Sequence, residues 1–247
     1  MRAAAGTRPC CYAAAVIVIL CAPSIRLDRE TGRGEPAGLG ARIALAVAAA
    51  GAPVQLAGRI GDDPAGDEVL LALGRAGVRH DAVLRDPDRA TPLAPPLPDA
   101  PLDVSAVTSA LLGEEVASPG GDDRPARPAP VLAAADVALC LSYLRDFGVV
   151  VAADPLDGAG RAAAVAAAAF AGARTVMIDP TGSGEANEPL DVPSGVTVLD
   201  SPSEDPEDDF ACLVARYASA LDRGEEASTA FRAALAGAGW EAVGSES

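Results

Sequence analysis

"AGLGARIALAVAAAGAPVQLAGRIGDDPAGDEVLLALGRAGVRHDAVLRDP", residues 37–87, decides the fold. Gly38 and Gly40 open a segment whose Ile43 and Val47 share one helical face, and Gly51 and Pro53 end it. "VQLAGRI" is then a short apolar strand. Asp63 stands before Pro64 as an N-cap stands before a proline at the first helical position. Asp67 and Glu68 suit the positive end of the helix dipole, and Val69, Leu70 and Leu73 form an apolar stripe that runs out at Gly77. Strand and helix alternating in this way imply a parallel sheet with helices on both faces.

The flanks extend the pattern. "MRAAAGTRPCCYAAAVIVILCAPS", residues 1–24, has basic residues followed by an apolar run of the length of a signal-peptide core. However, Leu20 stands before Cys21, where cleavage wants a small residue, and Val16–Leu20 is β-branched and bounded by Pro23, so it reads as a central strand. Residues 92–130 are dense in Pro, Gly and Asp and read as a poorly ordered insertion or linker. Alternation resumes with a helical "LAAADVALCLSYL", the strand "GVVVAAD", an Ala-rich helix from Arg161 to Ala171 and the strand "RTVMID". "VTVLDSPSEDPEDDFACLVARYASAL", residues 196–221, gives a strand, a turn and a helix with Glu207, Asp208 and Asp209 in its first turn. Phe210, Leu213, Val214, Tyr217 and Leu221 recur along it at helical spacing, which makes that face core, and Trp240 beyond it reads as packing. Residues 1–247 are therefore expected to form one domain, in two halves at 12–91 and 131–247.

Composition narrows the function. The chain is 50% hydrophobic and 22% charged, enough apolar material for one sizeable core. All 19 basic side chains are Arg, a codon bias more than a chemistry, and the net charge of −16 argues against a nucleic-acid surface or an anionic membrane. Cys10, Cys11, Cys21, Cys140 and Cys212 match neither a zinc site nor a disulfide framework, so they read as reduced thiols of a cytoplasmic protein. The lone His80, expected at a strand edge, has no companion ligand, and no metal site is assigned.

Residues 37–91 resemble the ribokinase-like or PfkB carbohydrate kinases: "GLGARIALAVAAAG" is similar to the glycine-rich substrate segment, and "GRIGDDPAGDEVLLALGRAGV" to the next strand, Gly-Asp turn and helix. "PSIRLD" lies where that family ends its first strand in Gly-Ser-x-Asn-x-Asp, which places Ser24 and Asp28 on the Ser and the sugar-binding Asp. "VTVLDSPSEDPEDDF" is similar to the strand and Asp-Thr-Thr-Gly-Ala-Gly-Asp turn, with Asp200 and Asp208 on its two Asp positions. The resemblance implies a three-layer α/β fold and transfer of a phosphoryl group from Mg-ATP to a sugar or nucleoside hydroxyl. It also implies Asp208 as catalytic base, and Asp28, Gly38, Gly40 and Arg42 with Arg26 on the substrate. "DPTGSGEAN", residues 179–187, reads as a loop after a strand, yet with Thr181, Gly182 and Gly184 it is the only glycine-rich candidate for nucleotide phosphates.

The departures are as specific. Arg42 and Arg26 replace two Asn of the family pattern, Arg29–Ala37 is too short for the usual lid over the sugar, and the acidic turn at 204–208 holds no glycine. At about 8 Å and an effective dielectric of about 20, each carboxylate–phosphate pair there repels by roughly 2 kcal/mol. Acids at a solvated helix N-terminus are, by contrast, ordinary and stabilise by about 0.3–1 kcal/mol each. Two readings follow: a trimmed sugar kinase with degenerate phosphate machinery, or a non-catalytic module on the same fold. The latter would bind a sugar-like or anionic small molecule through Arg26 and Arg42, which are expected to share a pocket with Asp28, or would serve in assembly as a homo-oligomer. An assembly role is expected to show an exposed apolar surface where the lid is missing.

Overall fold

The computed structural model describes residues 16–27, 33–95, 127–180, 195–202, 205 and 208–237. Strand β1 (Val16–Cys21) is followed by a short pair, β2 (Ser24–Leu27) and β3 (Gly34–Ala37), and by helix α1 (Leu39–Ala49). Then come β4 (Val54–Gly61), α2 (Pro64–Arg75), β5 (Arg79–Asp86), α3 (Ala134–Tyr143), β6 (Phe147–Ala152) and α4 (Gly158–Ala171). The chain continues through β7 (Arg174–Pro180), β8 (Val196–Ser201), α5 (Asp209–Asp222) and α6 (Ala227–Gly237).

Six strands form one sheet in the order β5-β4-β1-β6-β7-β8, every pairing parallel. Successive side chains of β1 point to opposite faces: Ile17, Ile19 and Cys21 into a core under α1, α2, α5 and α6, Val18 and Leu20 into one under α3 and α4. Burial on both faces explains the uninterrupted apolar run of residues 16–21 and places it at the centre of the sheet. Tyr217 on α5 is fully buried, its hydroxyl 2.9 Å from Thr197 Oγ1 and its ring edge-on to Phe231. His80 lies on edge strand β5.

Local signals explain the element ends. Asp63 caps α2 by accepting from the Gly66 N–H at 2.7 Å, and its carboxylate also accepts from the N–H and hydroxyl of Thr91, fastening the chain after β5. Helix α4 starts a turn before Arg161, because the Asp157 carboxylate accepts from the Gly160 N–H at 2.6 Å. Helix α5 starts at Asp209, so Asp208 is its N-cap residue and not part of its first turn.

In place of a lid stands the antiparallel ribbon of β2 and β3. The ribbon is anchored by residues the sequence left in a linker: Ile25 donates to Pro92 and accepts from Ala94, and Leu93 bridges to it. Residues 96–126 of that linker lie outside the described residues, as do Asp28, Thr181, Gly182, Gly184, Cys10, Cys11 and Trp240. No described helix is long and apolar enough to cross a membrane.

Candidate functional site

Strand order reverses at β1: the chain builds β4 and β5 on one side of it, then returns to lay β6, β7 and β8 on the other. In such sheets the ligand crevice lies beyond the carboxyl ends of the strands at this point. There the Ala22 N–H donates to the Asp154 carboxylate at 2.6 Å, joining the end of β1 to the residue just past β6. Burial pushes the Asp154 carboxyl up to about 6, with the Ala22 bond opposing the rise. The same burial, with the Asp154 charge beside it, raises the Cys21 thiol well above its ordinary value. Next along the sheet, Arg161 donates to Asp179 at 2.7 Å.

Helix α1 aims its N-terminus at this region. Gly38 precedes it with φ +87°, a conformation glycine adopts freely, and no side chain caps the helix. Gly40 allows the first turn to lie against β1: a Cβ there would stand 2.4 Å from that of Cys21. The first turn of α1 holds no acid, so its free N–H groups face no carboxylate of their own helix.

The start of α5 is arranged in the opposite way. The Asp205 carboxylate, 8% exposed, accepts from the N–H groups of Phe210 at 3.0 Å and Ala211 at 3.2 Å. Asp208 adopts a left-handed conformation, φ 60° and ψ 20°, and its side chain caps nothing. It meets Arg42 instead: Arg42 Nη1 lies 2.5 Å from Asp208 Oδ1, 2.7 Å from the Asp205 carbonyl oxygen and 3.4 Å from Asp205 Oδ2. One guanidinium thus ties α1 to the turn before α5.

The expected residues fall into three groups. Arg42 and Asp208 are in direct contact, Gly38 and Gly40 lie at the head of the helix that carries Arg42, and Asp28, Thr181, Gly182 and Gly184 are outside the described residues. Arg26 sits on β2 opposite Glu35, with an enclosed Nε that has no hydrogen-bond partner among the described residues. No described hydrogen bond or ion pair joins it to Arg42. The acidic turn is more than a solvated helix end, because Asp205 is enclosed and doubly bonded. Asp154 was missed from sequence; its only signal is a carboxylate ending the apolar run "GVVVAAD". Among the described residues no group of acidic, His and Cys side chains is arranged to hold a metal ion.

Comparison with known proteins agrees with this architecture. Residues 13–95 match the pfkB family carbohydrate kinase. No curated protein matches the chain in sequence. Among solved structures, a PfkB protein from Polaromonas sp. JS666 superposes with a TM-score of 0.54 at 16% identity, covering 93% of this chain and 97% of the other. A putative ribokinase II from E. coli in its apo form gives 0.58 at 14% identity over 91% and 92% of the two chains. Arabidopsis thaliana ribokinase complexed with ribose and ATP gives 0.55 at 15% identity over 91% of each. The described chain therefore has the ribokinase-like fold, and its residues 13–95 are similar to the pfkB family carbohydrate kinases.

Proposed function

We propose that this protein is a PfkB-type carbohydrate kinase homologue whose phosphate-binding turn has become an internal ion-paired cap. It would hold a sugar-like or anionic small molecule on its substrate side without phosphorylating it. The observation that carries this reading is the Asp205 carboxylate on the Phe210 and Ala211 N–H groups. A helix N-terminus binds phosphate through free N–H groups and the positive end of its dipole, and here an enclosed side-chain anion already uses both. A nucleotide phosphate entering there must displace Asp205 and approach Asp208 and Asp209. Each such charge pair repels by about 2 kcal/mol at about 8 Å and an effective dielectric of about 20. The donors present do not suit Mg-ATP at this turn.

Asp208 is also engaged. A general base must reach the hydroxyl it deprotonates, whereas this carboxylate is held by Arg42, the residue that replaces the family's neutral Asn. The substrate side offers what the turn before α5 does not: a bare N-terminus on α1, the Gly38 turn, and an Arg26 Nε without a partner among the described residues.

A thermal-shift screen tests the retained binding, since a ligand selective for the folded state must raise the midpoint. The proposal expects a shift with some sugars or sugar phosphates, diminished by Arg26→Ala, and none with Mg-ATP. A shift with Mg-ATP alone would contradict it.

A further inference from the structure

The exposed residues of helices α3 and α4 carry no charge, in a chain that is 22% charged. Along α4 every exposed residue is Gly, Ala or Phe, and its one ionisable side chain, Arg161, turns inward to Asp179. The sole acid of α3, Asp136, is buried against Arg59. The helices on the other face behave ordinarily: α2 exposes Asp67 and Arg75, and α5 exposes Asp209 and Arg216. A surface helix normally sets polar residues opposite its buried stripe, and one that is apolar all round is covered on both sides.

Relief accompanies the missing charge. Phe170 is 96% exposed and Tyr143 67%. Between the two helices runs a groove of about 640 Å³, lined by alanines of both helices, by Leu141 and Phe147, by Phe170 itself and by the charged pair Arg145 and Asp146. This apolar surface lies across the sheet from the β2–β3 ribbon, not beside the missing lid.

We propose that a second copy of the chain docks on this face about a two-fold axis, each protomer's Phe170 entering the other's groove. Knob and hole occupy the same surface, which is what an isologous interface requires. Arg145 and Asp146 line the groove side by side and are opposite in sign, so a two-fold axis passing beside them would set each Arg145 against the partner copy's acid. The net charge of −16 repels another copy elsewhere on the surface, and the uncharged face is where approach costs least. A membrane surface suits it poorly, because among the described residues no basic cluster flanks the apolar ones. Helices of 10 and 14 residues are about 15 and 21 Å long, a patch at the small end of specific interfaces, so the association is reversible.

Sedimentation velocity of the full chain from about 1 to about 200 μM, in about 0.15 M salt, reads the outcome. The wild type moves from monomer to dimer as concentration rises, and Phe170→Glu stays monomeric with an unchanged circular-dichroism spectrum and melting temperature. Arg145→Asp and Asp146→Arg each weaken dimerisation at least tenfold, and the double variant recovers it. A wild type that is monomeric throughout overturns the proposal. So does a Phe170→Glu variant that dimerises as tightly as the wild type, or a charge swap without recovery.

Discussion

Asp205 and Asp208, three residues apart in one acidic run, do different work. Asp205 is enclosed, accepts two helix N–H groups and touches Arg42; the half-exposed Asp208 side chain has Arg42 as its one partner among the described residues. Asp205→Ala leaves two donors and part of a guanidinium unsatisfied and is expected to cost about 1–3 kcal/mol of unfolding free energy in urea. Asp208→Asn keeps an acceptor at an exposed site and is expected to cost at most about 1 kcal/mol. Equal losses would contradict this division. Asp154 sets a pH dependence. Its folded value, about 6, lies above the ordinary 3.8, so the folded state holds the proton more tightly than the unfolded chain. Stability is therefore greatest below about pH 4 as far as this group is concerned, and falls between about pH 4 and 6 by on the order of 2–3 kcal/mol. Asp154→Asn retains an oxygen for the Ala22 N–H and cannot ionise, so the fall should vanish from its stability profile. The sequence shows that the turn is acidic, but not which carboxylate folds back onto the helix, since that follows from the path between β8 and α5. Asp154 was invisible for a similar reason: its partner is a backbone N–H 132 residues away.

At the scale of elements, most of the protein was legible. Apolar runs gave β1, β4, β6 and β7, and the Asp63-Pro64 start gave α2, because these depend on local period and capping. The β2–β3 ribbon was not legible as such: "SIRL" and "GEPA" lack a strong alternating pattern, and the ribbon is completed by Leu93 from far along the chain. Gly40 is where sequence pattern and packing meet. The glycine-rich segment implied substrate contact, while the structure gives Gly40 a packing duty against Cys21 and Ala153. Gly40→Ala, although favourable to an isolated helix, is expected to destabilise by about 1–3 kcal/mol, since the added methyl pushes α1 off β1. A stability equal to or above that of the wild type would mean that α1 packs less closely than described.

For the whole molecule, charge is the dominant global term. With −16 on 247 residues, self-repulsion opposes the compact state, and added salt screens it. The melting temperature should rise between about 0.01 and about 0.15 M sodium chloride, as the Debye length falls from about 30 to about 8 Å. A fall would mean that ion pairs such as Arg42–Asp208 and Arg59–Asp136 outweigh the repulsion. The layered fold positions two helix N-termini toward the crevice, α1 bare and α5 occupied by its own carboxylate, and on that contrast rests the proposed loss of phosphoryl transfer. It is tested most directly by incubating purified protein with Mg-ATP and a panel of sugars and nucleosides, wild type beside Asp208→Asn, and measuring ADP release. Release at the same background rate from both proteins is the expected result. Robust turnover by the wild type that disappears in Asp208→Asn would contradict the loss and restore an active sugar kinase.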